Sequence, residues 1–329
     1  MQKINRDILI EKAEKLFAEG TITRVLGWKK GEFCYDVTPA VFNSIEEMKK
    51  DFVYGDFSGA NFSKYLIKET RKADGKVLVF LKPCDTYSFN QLLTEHRFDK
   101  EKVYAIGIPC DGMVDVSKMK ELVGEGIIAI DDSSNDIKVE TLYDGVKTVN
   151  KADVLQERCA TCKSKKHVYY DELIGEEGEV VDGNRFDEVA RLEAMTADER
   201  FAFWQNELSR CIRCNACRDV CPACTCEKCV FNNPNSGVEN KAASNEFEEK
   251  MFHIIRAFHV AGRCTDCGEC SRVCPQNIPL HLLNRKFIKD INEFYGDYQA
   301  GEQAGSRAPL TNYTKEDLEP SEAVNREDK

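Results

Sequence analysis

Two short stretches constrain this chain more than anything else in it. "CIRCNACRDVCP" occupies residues 211–222 and "CTDCGECSRVCP" residues 264–275, so that Cys211, Cys214, Cys217 and Cys221 repeat the spacing of Cys264, Cys267, Cys270 and Cys274, with a proline after each run. A chain of 329 residues can bury two cores without covalent staples, and its 16 cysteines are not needed as disulfides. The opening "MQKINRDILIEKAEKLFAEG" is polar with charges at helical spacing and lacks the apolar stretch and small-residue cleavage site of a secretory signal. The expected compartment is therefore the cytoplasm, where crowded thiols serve as metal ligands or redox groups.

Three cysteines spaced by two residues, with a fourth after three more and then a proline, are the run by which bacterial-type ferredoxins hold a pair of [4Fe–4S] clusters. A cubane presents iron at alternate corners, and two intervening residues let successive thiolates reach neighbouring ones. In that arrangement the fourth cysteine of each run ligates the other cluster. The expected ligand sets are Cys211, Cys214, Cys217 and Cys274 for one cluster, and Cys264, Cys267, Cys270 and Cys221 for its neighbour. Zinc competes for C-x-x-C pairs, but a zinc ribbon uses four ligands in two separated pairs, not eight in two longer runs. Between the runs, "CPACTCEKC" adds Cys224, Cys226 and Cys229, whose role is open among a further metal site, an alternative ligand and lining of the insertion.

The rest of the chain reads as an α/β N-terminal domain joined to an α+β bacterial dicluster ferredoxin-like domain with a helical insertion. Residues 4–20 have the apolar spacing of a helix, with Ile8, Leu9, Ala13, Leu16 and Phe17 on one face and Gly20 as a stop. Strand-like runs at 23–28, 77–82, 103–109 and 126–130 alternate with helical stretches at 44–52, 60–73 and 114–122, which predicts a partly parallel sheet. The expected boundaries are 1–160 for the α/β domain, 161–204 for the connection, and 205–296 for the dicluster domain with an insertion over 230–263. A helix over 198–211 carries Phe201, Trp204 and Leu208 on one face, and the insertion begins with the loop "NNPNSG" before a helix whose Phe247, Met251, Ile254, Ile255 and Phe258 form a packing stripe. Residues 297–329 are a polar tail expected to stay extended or disordered unless a partner orders it.

Cys84 and Cys110 each follow a predicted strand, in "LKPCD" and "GIPCD", where open α/β sheets place ligands. With the C-x-x-C of Cys159 and Cys162 they make a plausible closed tetrad, leaving Cys34 over. Here the chain resembles the beta subunits of deazaflavin-coenzyme-reducing hydrogenases and related formate dehydrogenases. The matching residues are Pro83-Cys84-Asp85, Ile108-Pro109-Cys110, and Cys159 to Cys162 followed by Asp171-Glu-Leu-Ile-Gly175. The resemblance implies that the tetrad carries a third [4Fe–4S] cluster. The first cysteine run and its cysteine-rich extension also resemble iron–sulfur subunits of hydrogenase, sulfhydrogenase and heterodisulfide-reductase-type assemblies. Several members of the first family bind FAD and reduce a deazaflavin. Their glycine-rich flavin region has no counterpart in "AEGTITRVLGW", so FAD is an alternative and not the expectation.

The resulting expectation is an iron–sulfur electron-transfer subunit of a multi-subunit anaerobic oxidoreductase, partnered by catalytic and electron-transfer subunits. The alternatives are an FAD-containing beta subunit that itself reduces a deazaflavin or nicotinamide acceptor, and a metal-stabilised interaction module. A net charge of −11 without a long basic run argues against nucleic-acid binding, and the longest apolar runs, such as "VLVFL", are too short to span a membrane. No G-x-G-x-x-G, P-loop, H-E-x-x-H or serine elbow occurs, and no catalytic residue is assigned. His96, His167, His253, His259 and His281 read as packing or surface residues. Asp85 and Asp111 beside the proposed ligands read first as ordinary carboxylates, with tuning of the third cluster or cation binding as the lesser alternative. Arg210, Arg213 and Arg218 beside the first run read equally as groups that lower its negative charge or dock an acidic partner and as solvated charges.

Overall fold

The computed structural model describes residues 4–72, 75–179, 183–232, 246–306 and 308–310. Its first element is the helix Arg6–Ala18, started by Asn5, whose side-chain oxygen accepts from the Ile8 amide; Leu9, Ile10, Ala13 and Leu16 are its buried stripe. The principal sheet is built from β1 (Arg24–Lys30), β2 (Val37–Phe42), β3 (Val77–Leu81), β4 (Val103–Gly107) and, after an intervening small sheet, the two-residue strand Glu172–Leu173. Its spatial order runs β2, β1, β3, β4 and then that last strand. All neighbours are parallel except β1 and β2. All five residues of β3 are buried, as a central strand covered on both faces requires, which is why "VLVFL" is a continuous apolar run. Trp28 fills the core under the sheet, its ring 4.5 Å from that of Phe62 and 5.1 Å from that of Tyr54.

Two departures from the sequence reading have clear causes. "GIIAI" does not join this sheet: the strand Ile127–Asp131 pairs antiparallel with Asp136–Thr141, which pairs in turn with Gly145–Asn150. The loop between the first two of these strands is far too short for the crossover of a dozen or more residues that a parallel neighbour needs. The other departure is a helix at Pro83–Thr94, immediately after β3, that the sequence reading left out. Its buried positions include Thr86, Ser88, Asn90 and Gln91, so it has no apolar stripe to reveal it. Those polar groups are used: the Ser88 hydroxyl lies 2.8 Å from that of Thr265, beside the second cysteine run, and accepts from the Asn61 amide group at 3.0 Å.

From residue 205 to 296 the described residues form helices and loops, with no strand among them. Helix Ala197–Ser209 opens on a reciprocal cap between Thr196 and Glu199. Leu208 is buried and Trp204 packs against the core, but Phe201 is 62% exposed and leaves the predicted face. The helix Glu246–Val260 is also rotated from expectation. Ile254 and Phe258 are exposed, and the buried face carries Phe252, His253, Arg256, Ala257 and Val260 instead. The side chain of Phe247 and the loop from 233 lie outside the described residues.

The segment after 297 is not free over its first part. The Tyr298 hydroxyl donates to the Gly262 carbonyl at 2.9 Å, Arg185 donates to the Gln299 side-chain oxygen at 2.6 Å, and Gly301 lies against Tyr87 of the helix Pro83–Thr94. Residues 311–329 lie outside the described residues. Among the described residues, no helix is long and apolar enough to cross a membrane.

Candidate metal centres

The two cysteine runs adopt the same backbone path. Arg213 and Asp266 both have positive φ, as do Asn215 and Gly268, and each run then enters a one-turn helix, Ala216–Asp219 or Glu269–Arg272. Left-handed residues between the first and third cysteines fold the loop back on itself, so that three thiols face one volume. Gly268 is required twice over: its φ is +66°, and an added Cβ would lie 2.6 Å from the Arg158 side chain.

Cys211, Cys214, Cys217 and Cys274 line one cavity together with His253, Phe252 and Ile278. Three of these thiols come from the first run and one from the second. The Arg213 amide donates to Cys211 Sγ at 3.4 Å, and His253 Nε2 lies 3.2 Å from the same sulfur. Burial pushes Cys217 up to about 12, helped by the neighbouring Cys270, Cys211 and Cys274, while Arg256 acts against it. Cys214 is exposed, which puts this group at the surface.

Cys221 stands electrostatically beside Cys264, Cys267 and Cys270, whose acidities it lowers. Burial pushes all three of those thiols up. Cys221 goes the other way, downward, because Cys224 donates a hydrogen bond to it and Arg256 and Lys64 lie near. Asn284 Nδ2 lies 3.7 Å from Cys270 Sγ. Cys226 is exposed, and Cys229 packs at the edge of the core around Phe231.

A second cavity is lined by Cys84, Cys110, Cys159 and Cys162, with Lys82, Arg158, Lys163 and Cys267 on its wall. Cys84 sits in the first turn of Pro83–Thr94, whose Asp85 side chain accepts from the Lys82 amide at 3.2 Å. Cys110 follows β4, and burial with the nearby Cys159 pushes it up to about 11. The Met113 amide donates to Cys159 Sγ at 3.4 Å. His167 ties the site's two strand ends together, with Nε2 3.1 Å from both the Leu81 and the Ile108 carbonyls and Nδ1 2.8 Å from Glu177. Among the described residues no three His, Cys, Asp or Glu side chains are grouped as a single metal ion requires. The thiols ring volumes instead.

Buried charges connect the three groups. Arg158 donates to the Cys267 carbonyl at 2.5 Å, to Glu269 at 2.7 Å and to the Gly59 carbonyl at 2.8 Å. Glu269 is fully buried and also receives Arg272 and the Asn61 amide. Arg285 joins Asp266 at 2.8 Å to Glu157 at 2.7 Å. Of the charges read beside the ligands, Asp85 pairs with Lys82 and Asp111 with Lys151, each at 2.8 Å. Arg210 pairs with Glu207, Arg218 pairs with Asp219, and Arg213 is buried over the Phe252 ring. His96 and His259 are exposed; His281 pairs with Glu157. Cys34 is exposed.

Sequence reasoning missed Arg158, Arg256 and the hydrogen bond from Cys224. Arg256 had a signal: Phe252, Arg256 and Val260 recur every four residues on one helix, so an arginine occupies a core position.

Residues 207–278 match the family model described as a 4Fe-4S dicluster domain. Over most of its length the chain is similar to two curated proteins. One is the F420-dependent formate dehydrogenase subunit beta of Methanocaldococcus jannaschii, 23% identical over 83% of this chain and 86% of that protein. The other is the F420-dependent formate dehydrogenase 1 subunit beta of Methanococcus maripaludis, 25% identical over 89% and 92%. Among solved structures, a chain of the F420-reducing [NiFe] hydrogenase complex from Methanosarcina barkeri aligns with a TM-score of 0.38 and 19% identity, over 48% of this chain and 59% of that one.

Proposed function

We propose that this chain is the iron–sulfur electron-transfer subunit of a formate-dehydrogenase- or hydrogenase-type oxidoreductase complex, working in the cytoplasm beside a catalytic subunit. The dicluster match and the likeness to formate dehydrogenase beta subunits along most of the chain support it. In this reading the α/β part to residue 160 and the dicluster part over 205–296 are joined by 161–204. Cys211, Cys214, Cys217 and Cys274 hold one cluster, and Cys264, Cys267, Cys270 and Cys221 hold a second. Cys84, Cys110, Cys159 and Cys162 hold a third.

The observation that carries the reading is the cavity in which one run's first three cysteines meet the other run's last. The donor set also fits the group. Arg256 is 2% exposed, and its guanidinium has no carboxylate or carbonyl partner among the described residues; it lies against the Cys270 thiol, with Cys217, Cys221 and Cys224 near. A buried cation demands negative charge, and thiolate-ligated iron supplies it. A bound [4Fe–4S] cluster supplies one-electron transfer with little change in geometry. The chain's part is to hold the thiols, shield them, and aim N–H groups at sulfur, as Arg213 and Met113 do. Cys267 borders both the second and third groups, and Cys217 neighbours Cys270, so the groups lie in the order third, second, first. The order ends at the surface near Cys214 and Ile212.

Iron and sulfide analysis after anoxic purification tests this, with electron paramagnetic resonance of the reduced protein. The expected content is about twelve iron atoms per chain for three cubanes. Cys84→Ser should lower it to about eight and keep both ferredoxin-type signals. A wild-type content near eight would remove the third cluster, and colourless protein would remove all three.

A further inference from the structure

The helix Glu246–Val260 belongs to neither cysteine run, yet it lies between them in sequence and buries an arginine whose neighbours are thiols of both. We propose that Arg256 is the shared counter-charge of the two dicluster centres, a positioning residue that raises both of their reduction potentials. The inference rests on the dicluster reading above.

Three observations carry it. First, Arg256 faces both groups: Cys217 belongs to the first set, while Cys270 and Cys221 belong to the second. Second, its guanidinium is buried with no carboxylate or carbonyl partner among the described residues. Of the other buried guanidiniums near the thiols, Arg158 and Arg285 have carboxylates, Glu269 and Glu157 with Asp266, and Arg213 lies over the Phe252 ring within the first run alone. Third, the helix face it shares is apolar: Phe252, Ala257 and Val260 are buried with it, and the nearby Arg213 is a cation that cannot answer its charge.

An arginine cannot discharge itself by losing a proton. Desolvation makes a lone guanidinium costly, so this position persists only against a permanent negative charge. Reduction adds one electron to a centre already negative, and a fixed cation at short range in a water-poor setting favours the reduced form. Because Arg256 interacts electrostatically with thiols of both sets, its removal should move both centres in the same direction. A residue serving one cluster would move one.

Arg256→Lys, Arg256→Gln and Arg256→Met, purified without oxygen as the full chain, separate charge from shape. The measurements are iron content and spectroscopic redox titration. In cluster-loaded Gln and Met variants, the ratio of reduced to oxidised centre at the wild-type midpoint should fall at least tenfold for both dicluster signals, a shift of 59 mV for one electron. The Lys variant should stay within threefold. Neutral variants that lose iron while the Lys variant keeps it would equally support a charge requirement. The proposal is overturned if loaded neutral variants titrate as wild type, if only one signal moves, or if all three variants lose iron alike. Wild-type protein without clusters would instead defeat the dicluster reading itself.

Discussion

Replacing Glu269 by glutamine should loosen the joint between the sheet domain and the cysteine runs. Glu269 is fully buried between Cys267 and Cys270, and it receives Arg158 from one side, Arg272 from the other, and the Asn61 amide at 3.2 Å. Burial alone would raise its pKa, but Arg272 and Arg158 outweigh burial and hold it at about 2. A carboxyl held there, against its ordinary 4.5, stabilises the folded chain at neutral pH by about 3 kcal/mol. The sign follows from proton counting: above pH 4.5 that contribution is complete, and it disappears as pH falls through 2, when the folded carboxyl takes up its proton. Breaking a buried pair by removing one partner costs about 3–5 kcal/mol, in agreement. Glutamine keeps the shape and removes the charge, so Arg158 and Arg272 are left facing each other. Amide hydrogen exchange at pH 7 reads the effect locally, at Asn61 and along 59–61. About 3 kcal/mol corresponds to exchange faster by roughly two orders of magnitude. Exchange at Asn61 within threefold of wild type would refute the claim that this carboxylate holds the joint.

His253, at about 3 in the folded chain, must stay neutral while its unfolded counterpart protonates near 6.5, so stability falls as pH drops below 6.5. Between pH 7 and pH 5 the wild type should lose about 2 kcal/mol relative to His253→Gln in urea unfolding; parallel pH profiles would contradict this. Gly301 has φ +77°, and a Cβ there would fall 1.8 Å from the Tyr87 carbonyl oxygen. Gly301→Ala should therefore cost about 1–3 kcal/mol and expose residues 297–306 to faster proteolysis, and an unchanged cleavage rate would count against the packing described.

Those two positions also mark where sequence reasoning ran out. The polar composition after 297 gives no sign of packing, because Tyr298 and Gln299 act through single hydrogen bonds and Gly301 through the lack of a side chain. By contrast, the apolar run at β3 and the spacing of Leu9, Ala13 and Leu16 carry their structure openly, since burial on both faces or on one stripe leaves a direct pattern. The helix Pro83–Thr94 is hidden for the opposite reason. Its buried positions mix Tyr87, Phe89 and Leu92 with polar side chains, and of these Ser88 is held by Asn61 and Thr265, partners distant in sequence. "GIIAI" was legible as a strand but not as to sheet, because partner choice depends on the loop that follows and not on the run itself.

For the site, thiol spacing specifies which side chains meet, since a cysteine run is a local motif with nearly fixed geometry once residues such as Arg213 and Asn215 turn left-handed. Charge compensation is not local. Arg158 reaches Cys267 from the end of the α/β part, beside Cys159, and Arg256 reaches the thiols from an inserted helix, so neither is adjacent in sequence to the two dicluster runs. An arginine in an amphipathic helix ordinarily marks the solvent face, and that rule sends the eye to Ile254 and Phe258 as the core stripe. The rule fails because the core here is not hydrocarbon alone. Where the interior is built to carry negative charge, burying a guanidinium costs less than leaving that charge uncompensated, and the helix turns its arginine inward and exposes a phenylalanine.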